Sequence, residues 1–337
     1  MTVLLVVVGL SFAWSMGAHY TGACMGMPHA LGALTRWQAL ALMAPLAWLG
    51  ASLASHAVER TVADRLTASH LAQPAQVVVV GLAFLLTTAF TRLKVPTSTI
   101  QILVFCVVGV ALGEHVGVSW ATIGALALTW VNAPPVAFAL GFALTKGLDR
   151  VPAIRGSADL GGPQPTAPAL TRTGLHPLDT LSLALIAVGA GASFVMGSND
   201  VANATGAFVA TGTFSPLLAG VVGGAGLALG ALTWGRPLLK RIAFEIVKLD
   251  RVMASAAQAV QAIVVLSAVS LGYFTSMNQA LVGAMAGAGT ARGRETVSRG
   301  VLTGILRGWA IGPVASFGAA FVVARTLTVL AGSSVLR

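Results

Sequence analysis

Ten times along its length this chain enters an apolar stretch of the size that crosses a lipid bilayer. A crossing helix takes about 20 such residues. The first five stretches are Thr2–Leu34, Gln38–His56, Ala75–Thr91, Thr97–Leu112 and Val118–Leu144. The second five are Leu181–Phe214, Leu217–Trp234, Val252–Phe274, Thr275–Ala288 and Val301–Leu330. Between the sets lies Thr145–Asp179, rich in proline and glycine, which reads as a linker. Only 9% of the 337 residues are charged, against about 25% in a soluble domain. That composition excludes a soluble enzyme, a disordered chain and a secreted disulfide scaffold. The expected fold is an all-α polytopic membrane protein. The first run, Thr2 to Met16, lacks the positive start of a signal peptide and reads as the first span.

The two sets repeat one another. Met16-Gly17-Ala18-His19-Tyr20 lies over Met196-Gly197-Ser198-Asn199-Asp200, and Leu49-Gly50-Ala51 over Leu229-Gly230-Ala231, at a constant offset of 180. Thr97-Ser98-Thr99-Ile100-Gln101 matches Thr275-Ser276-Met277-Asn278-Gln279. Trp130, Pro134 and Phe138 match Trp309, Pro313 and Phe317; these mark packing and kinks. Residues 1–146 then form one repeat, 147–180 the linker and 181–337 the second repeat. About five spans per repeat is an odd number, so the second repeat is expected to be inverted. With the N-terminus outside, 16 of the 20 Lys and Arg fall inside, as the positive-inside rule requires. Both termini are then extracellular or periplasmic, the linker is cytoplasmic, and a bacterial inner membrane suits the short loops. The net charge of +10 belongs to these loops, so no nucleic-acid partner is expected. Cys24 and Cys106 sit in apolar stretches and read as core residues.

Nine of the ten acidic residues fall in loops or at span ends; Asp200 alone lies deep in a span. A charge there costs several kcal/mol or more, so Asp200 is the first functional candidate. Around it, Gly197 to Ala204 is small and polar, and a helix break is expected at Gly197–Asn203. A matching break is expected at Gly17–Gly22. A broken helix offers N–H groups and a positive dipole end to an anion. Ser98, Thr99 and Gln101 open one helix, and Ser276, Asn278 and Gln279 open another. Four helix N-termini would then meet near the pseudo-two-fold axis, around a small anion with several oxygens. The candidate ligands are Asp200, Asn203, Asn199, Ser198, Ser98, Thr99, Gln101, Ser276, Gln279, His19 and Tyr20. Asp200 is the candidate for coupling, through H⁺ or through a Na⁺ held near Asp200 and Asn199. His29 reads as a core histidine. No metal cluster, nucleophile elbow or phosphate-binding loop is present in the sequence, so ATP-driven transport is not expected, nor an organic cofactor. The remote alternatives are a membrane-embedded enzyme, for which His19, His29 and Asp200 are the candidates without metal-type spacing, and a non-transporting sensor.

Gly197-Ser198-Asn199-Asp200-Val201-Ala202-Asn203-Ala204 resembles the Gly-Ala-Asn-Asp-Val-Ala-Asn-Ala hallmark of the inorganic phosphate transporter (PiT) family. The Ser98 and Ser276 segments resemble its Pro-Val-Ser-Thr-Thr-His motifs, with Gln101 and Gln279 at the His positions. The resemblance covers essentially the whole chain. It implies an inverted-repeat symporter for a tetrahedral oxyanion, driven by Na⁺ or H⁺. It also implies ligand roles for Asp200, Asn203, Ser98, Thr99 and Ser276. The first repeat departs from the pattern: His19-Tyr20-Thr21-Gly22-Ala23 stands where the family has Asn-Asp-Val-Ala-Asn. The sulfate permease branch is similar in having an eroded first motif. Sulfate has no proton to give a carboxylate, whereas Tyr20 and His19 are donors. The expectation is therefore sulfate, with phosphate the alternative. Membrane lipid is the surrounding partner, and a homodimer is left open.

Overall fold

The computed structural model describes residues 1–93, 97–151, 179–237, 239, 249–293 and 299–335. Most of the expected linker, with Arg155 and Arg172, lies outside them, as do Lys94, Pro96 and most of the loop after Arg236. The described residues are almost wholly helical: α1 Thr2–His19, α2 Thr21–Ala30, α3 Arg36–Ala54, α4 His56–Arg60, a π-helical turn Thr61–Arg65, α5 Gln73–Arg92, α6 Thr99–Gly113 and α7 Trp120–Leu148. The second half gives α8 Thr180–Ala210, α9 Pro216–Trp234, α10 Arg251–Ser270, α11 Met277–Ala291 and α12 Arg299–Val335. Helix starts are marked by oxygen caps. Thr35 and Gln38 form a reciprocal capping box, and Ser215, Asp250, Ser98 and Ser276 accept first-turn N–H groups.

Among the described residues eight helices are long and apolar enough to cross a membrane, counting α1–α2 as one. The stretches Thr97–Leu112 and Thr275–Ala288 are different from what their composition suggested. They form α6 and α11, of 15 residues each. At 1.5 Å per residue each is about 22 Å long, short of a hydrocarbon core of about 30 Å.

Contacts show where these short helices go. α5 begins beside the start of α1, where Gln73 donates to Thr2 at 2.9 Å, and ends beside His19, which meets Thr91 at 2.8 Å. α1–α2 continues for eleven residues past His19, to Ala30. α6 then turns back, and the chain after it pairs with the segment before α5: Ala68 donates to Gly117 O at 2.8 Å and Ser119 to Leu66 O at 3.0 Å. So α5 and α6 form a hairpin that enters and leaves on the face of Thr2. α10 and α11 form a second hairpin. Its two ends are tied when Arg292 donates to Asp250, and Arg292 also binds Asp149 at the end of α7. α7 starts on the first face and runs 29 residues, so this hairpin opens on the opposite face.

A second difference concerns the expected break at Gly197–Asn203. α8 is one continuous helix through it. The physical reason is that Asn199 and Asp200 spend their polar atoms on neighbouring elements rather than on their own backbone, which leaves the helical ladder intact. The first-half break is present but slight, with Tyr20 alone outside the two helices at φ −94° and ψ 1°.

Small residues let the helices touch at backbone distance. A Cβ on Gly17 would fall 1.9 Å from the Leu227 carbonyl oxygen, and one on Gly197 the same distance from Ala47 O. On Gly50 it would meet Phe194 O at 1.9 Å, and on Gly230, Trp14 O at 1.8 Å. A shift of 180 positions turns the first contact into the second and the third into the fourth. α1 thus packs on α9 as α8 packs on α3. The same exchange holds for α7 on α11 and α12 on α6. α1–α2 and α8 run antiparallel: Gly9 faces Ala204, and Cys24 faces Ala192. Cys24 and Cys106 are buried and free.

These contacts leave no room for a side chain. Gly17→Val and Gly230→Val should each destabilise the detergent-solubilised protein by about 3 kcal/mol or more, through overpacking. Gly191→Ala, where a Cβ meets nothing within 4 Å, should stay within about 0.5 kcal/mol. Thermal unfolding of the three variants checks this.

Candidate substrate site at the hairpin tips

The two hairpin tips meet in the protein interior, between the Tyr20 break and the middle of α8. Asn278 of the second tip donates to Thr97 O of the first at 3.3 Å. Asn199 fastens the second tip to α8 with both ends of its amide. It donates to Thr275 O at 2.9 Å and accepts from Thr275 N at 3.2 Å. The same Asn199 Nδ2 donates to Asp200 Oδ2 at 3.1 Å. On the other side of Asp200, Thr99 donates to Oδ1 at 3.4 Å. Thr99 has one proton and gives it to Asp200, so the Tyr20 hydroxyl, 2.8 Å from Thr99 Oγ1, donates to Thr99. The relay Tyr20 to Thr99 to Asp200 therefore spans α1–α2, the first hairpin and α8. His19 stands edge-on to Tyr20, with ring centres 5.2 Å apart.

Asp200 is fully buried. Among the described residues it has no Lys or Arg partner, and its carboxylate rests on Asn199 and Thr99. At the two hairpin tips several buried side-chain atoms have no hydrogen-bond partner: Thr97 Oγ1, Thr275 Oγ1, Gln101 Oε1, Asn278 Oδ1 and Gln279 Oε1. Burying such atoms unpaired costs about 1–3 kcal/mol each. The first turns of α6 and α11 add N–H groups that a helix start leaves without intrahelical acceptors. Hydroxyls and N–H groups suit an anion, and the amide oxygens suit a cation, so the cluster can hold both together.

The structure joins most of the expected residues and separates two. His19, Tyr20, Thr99, Asn199 and Asp200 are linked by the contacts above. Ser98 and Ser276 act as caps, accepting from Gln101 N and Gln279 N at 3.4 Å, and so hold those two glutamines at the tips. Ser198 turns back on its own helix and donates to Val195 O at 2.9 Å. Asn203 donates to Met16 Sδ at 3.7 Å and lines a small cavity with Val62, Gln76 and Leu103 instead. Two helix N-termini meet here, rather than the four expected, because α8 does not break and Tyr20 interrupts only lightly.

Some residues at the cluster escaped the sequence reading. Thr97, Thr275 and Asn278 stood in the matched strings but were not singled out as ligands. Gln258 and Gln261 of α10 brace the site. Gln258 donates to the carbonyls of Ala23 and Cys24, and Gln261 to Met277 O at 3.3 Å. Their signal was two amides three apart inside an apolar run. Glu59 was counted as a loop residue but is fully buried against α8.

Comparison with known proteins places this architecture. The chain matches the family described as the phosphate transporter family over residues 16–320. A "Putative phosphate permease" of Pyrococcus abyssi is 25% identical over 378 residues, covering 91% of this chain and 93% of the relative. The sulfate permease CysP of Bacillus subtilis is 26% identical over 324 residues, covering 94% of this chain and 86% of the relative. A solved structure titled "The sodium-dependent phosphate transporter" shares the fold, with a TM-score of 0.81 at 22% identity, over 97% of this chain and 99% of that one. With the family match running through both hairpins and every helix that meets Asp200, this chain belongs to the phosphate transporter family.

Proposed function

We propose that the protein is a secondary transporter of an inorganic tetrahedral oxyanion, with phosphate its substrate, driven by an inward H⁺ or Na⁺ gradient. The observation that carries the reading is the meeting of two hairpin tips, with unpartnered polar atoms, around the buried carboxylate of Asp200. The first-turn N–H groups after Ser98 and Ser276, with the unpartnered hydroxyls of Thr97 and Thr275, bind the oxyanion, and the relay from Tyr20 through Thr99 holds Asp200 beside it. Gln101, Gln279 and Asn278 complete its shell or hold a co-bound cation. Asp200 is the coupling residue, and Asn199 keeps it and the second tip in register.

Asp200 also favours phosphate. An ionised carboxylate repels a dianion that has no proton, but it accepts a hydrogen bond from hydrogen phosphate. The relatives named for phosphate support the same substrate, and the solved relative's title supports Na⁺ as a coupling ion. The weight given to sulfate by the eroded first motif is thereby reversed. A second reading keeps sulfate, on one observation: Tyr20 and His19 present donors where the motif has a carboxylate, and a sulfate permease is among the relatives.

The antiparallel course of α1–α2 and α8, with the exchanged glycine contacts, supports two inverted repeats, 1–146 and 181–337, that rock about the site. The positive-inside pattern supports a cell membrane setting with both termini outside.

Uptake of labelled phosphate into proteoliposomes, with H⁺ or Na⁺ gradients imposed separately, should be at least about fivefold faster than that of sulfate, the scale of a single lost hydrogen bond. Uptake of sulfate that excess phosphate does not compete would select the second reading. Asp200→Asn should lower gradient-driven uptake at least about 100-fold, the cost of removing a buried hydrogen-bonded charge.

Tyr20→Phe should weaken anion binding by about 3- to 10-fold, one hydrogen bond's worth. Tyr20→Asp, which restores the motif's carboxylate, should move the phosphate-to-sulfate ratio further toward phosphate. Competition binding to the purified protein measures both.

A further inference from the structure

Glu59 is a second buried carboxyl group, and the substrate site does not use it. It lies on α4, which does not span; it joins α3 to the π-helical turn on the face of Thr2 and packs against α8, α9 and α10. Its side chain is 0% exposed. Oε1 lies 2.8 Å from Thr205 Oγ1, and Oε2 has no partner. Thr205 Oγ1 also lies 3.0 Å from the Val201 carbonyl. One hydroxyl has one proton, and a carbonyl can only accept it. Both contacts are satisfied together when Glu59 is protonated: its O–H donates to Thr205, and Thr205 donates to Val201. The Ser55 hydroxyl also lies against the carboxyl, but it gives its one proton to Ala51 O at 2.6 Å. Were Glu59 ionised, Thr205 could serve only one of its two acceptors well, and Oε2 would stay buried without a donor.

Among the described residues no buried cation balances an ionised Glu59. α8 carries Asp200 as its one titratable side chain, five residues before Thr205, and α9 carries none. α10 has only Arg251, at its far end and paired with Asp179; Tyr273 follows its last turn. In the π-helical turn Asp64 and Arg65 are exposed, Asp64 lying 4.0 Å from His70. On α4 itself Arg60 is exposed, while His56 is part-exposed with its Nε2 buried and unpartnered. His56 and Glu59 are three residues apart and share a helix face, with His56 part-exposed. Burial pushes the Glu59 carboxyl up to about 7.

We propose that Glu59 is a proton-binding site that gates the face of Thr2: this face closes over α4 and α8 only when the Glu59 carboxylate has taken up H⁺ from that side. Binding makes one O–H bond and breaks none between heavy atoms; H⁺ comes from solvent on that side and returns when the face reopens. The site deepens the transporter reading by making H⁺ a ligand of the cycle, and it rests on that reading for its transport consequence alone.

The test holds internal pH fixed and varies external pH in proteoliposomes loaded for phosphate uptake. Wild-type uptake should rise as external pH falls from about 8 to about 6. Glu59→Gln mimics the protonated form, so the ratio of wild-type to Glu59→Gln uptake should rise about tenfold over that range, as protonation of one site requires. Phosphate titrates in the same window, but equally for both proteins, so their ratio isolates the protein. Glu59→Asp should keep a pH dependence and shows that the position tolerates change. A profile in Glu59→Gln that follows the wild type overturns the proposal, and so does uptake that responds to Na⁺ but not to external pH in the wild type. Infrared titration of the purified protein decides independently of transport. A protonated-carboxyl band with its midpoint near 7, absent from Glu59→Gln, is the expected result; an identical titration in both proteins overturns it. If the wild type carries no oxyanion the transporter reading fails, and the infrared result still stands or falls alone.

Discussion

Inside a bilayer a backbone N–H or a carboxylate has no water to turn to. That constraint shapes the molecule. α6 and α11 start in the interior, where their first-turn N–H groups must be met by protein or by a ligand. The caps Ser98 and Ser276 take one each, and Asn199 takes Thr275 N. Thr99, in the first turn of α6, donates to Asp200 on α8. The candidate site is thus a consequence of where two helices begin.

Bringing them together depends on close packing. Gly17, Gly197, Gly50 and Gly230 let four helices touch at backbone distance. A TM-type contact of this kind relies on packing rather than on water release, since lipid is as apolar as the helix surface. Farther from the site, α7 grips the second hairpin: Trp130 donates to Phe274 O at 3.1 Å, and Arg292 ties Asp149 to Asp250 at the other end. The second hairpin is thereby held at its tip and at its base.

Much of this was legible in the residues. Asp200 stood out because one carboxylate in a long apolar run is expensive. The internal match was legible in glycines that recur at an offset of 180, and the contacts of Gly17, Gly197, Gly50 and Gly230 follow that offset. The hairpins were not legible: sixteen apolar residues look alike whether they cross or return, and only contacts such as Ala68 to Gly117 reveal the direction. The break at Gly197–Asn203 was misread because glycine, serine and asparagine permit a break without requiring one. Ser198 bonds to its own helix and Asn199 to the opposite hairpin, and neither fact is written in the local string. Glu59 escaped notice because it follows the end of an apolar run, and only the fold back of α4 against Thr205 buries it.

We place the oxyanion between the two hairpin tips and Asp200, a position that anomalous diffraction from crystals grown with arsenate, a heavier analogue of phosphate, reads out. An arsenic peak is expected within hydrogen-bond reach of the first turns of α6 and α11, beside Asp200 and Thr99. An arsenic peak elsewhere in the protein, with the hairpin tips unoccupied at saturating arsenate, would contradict it.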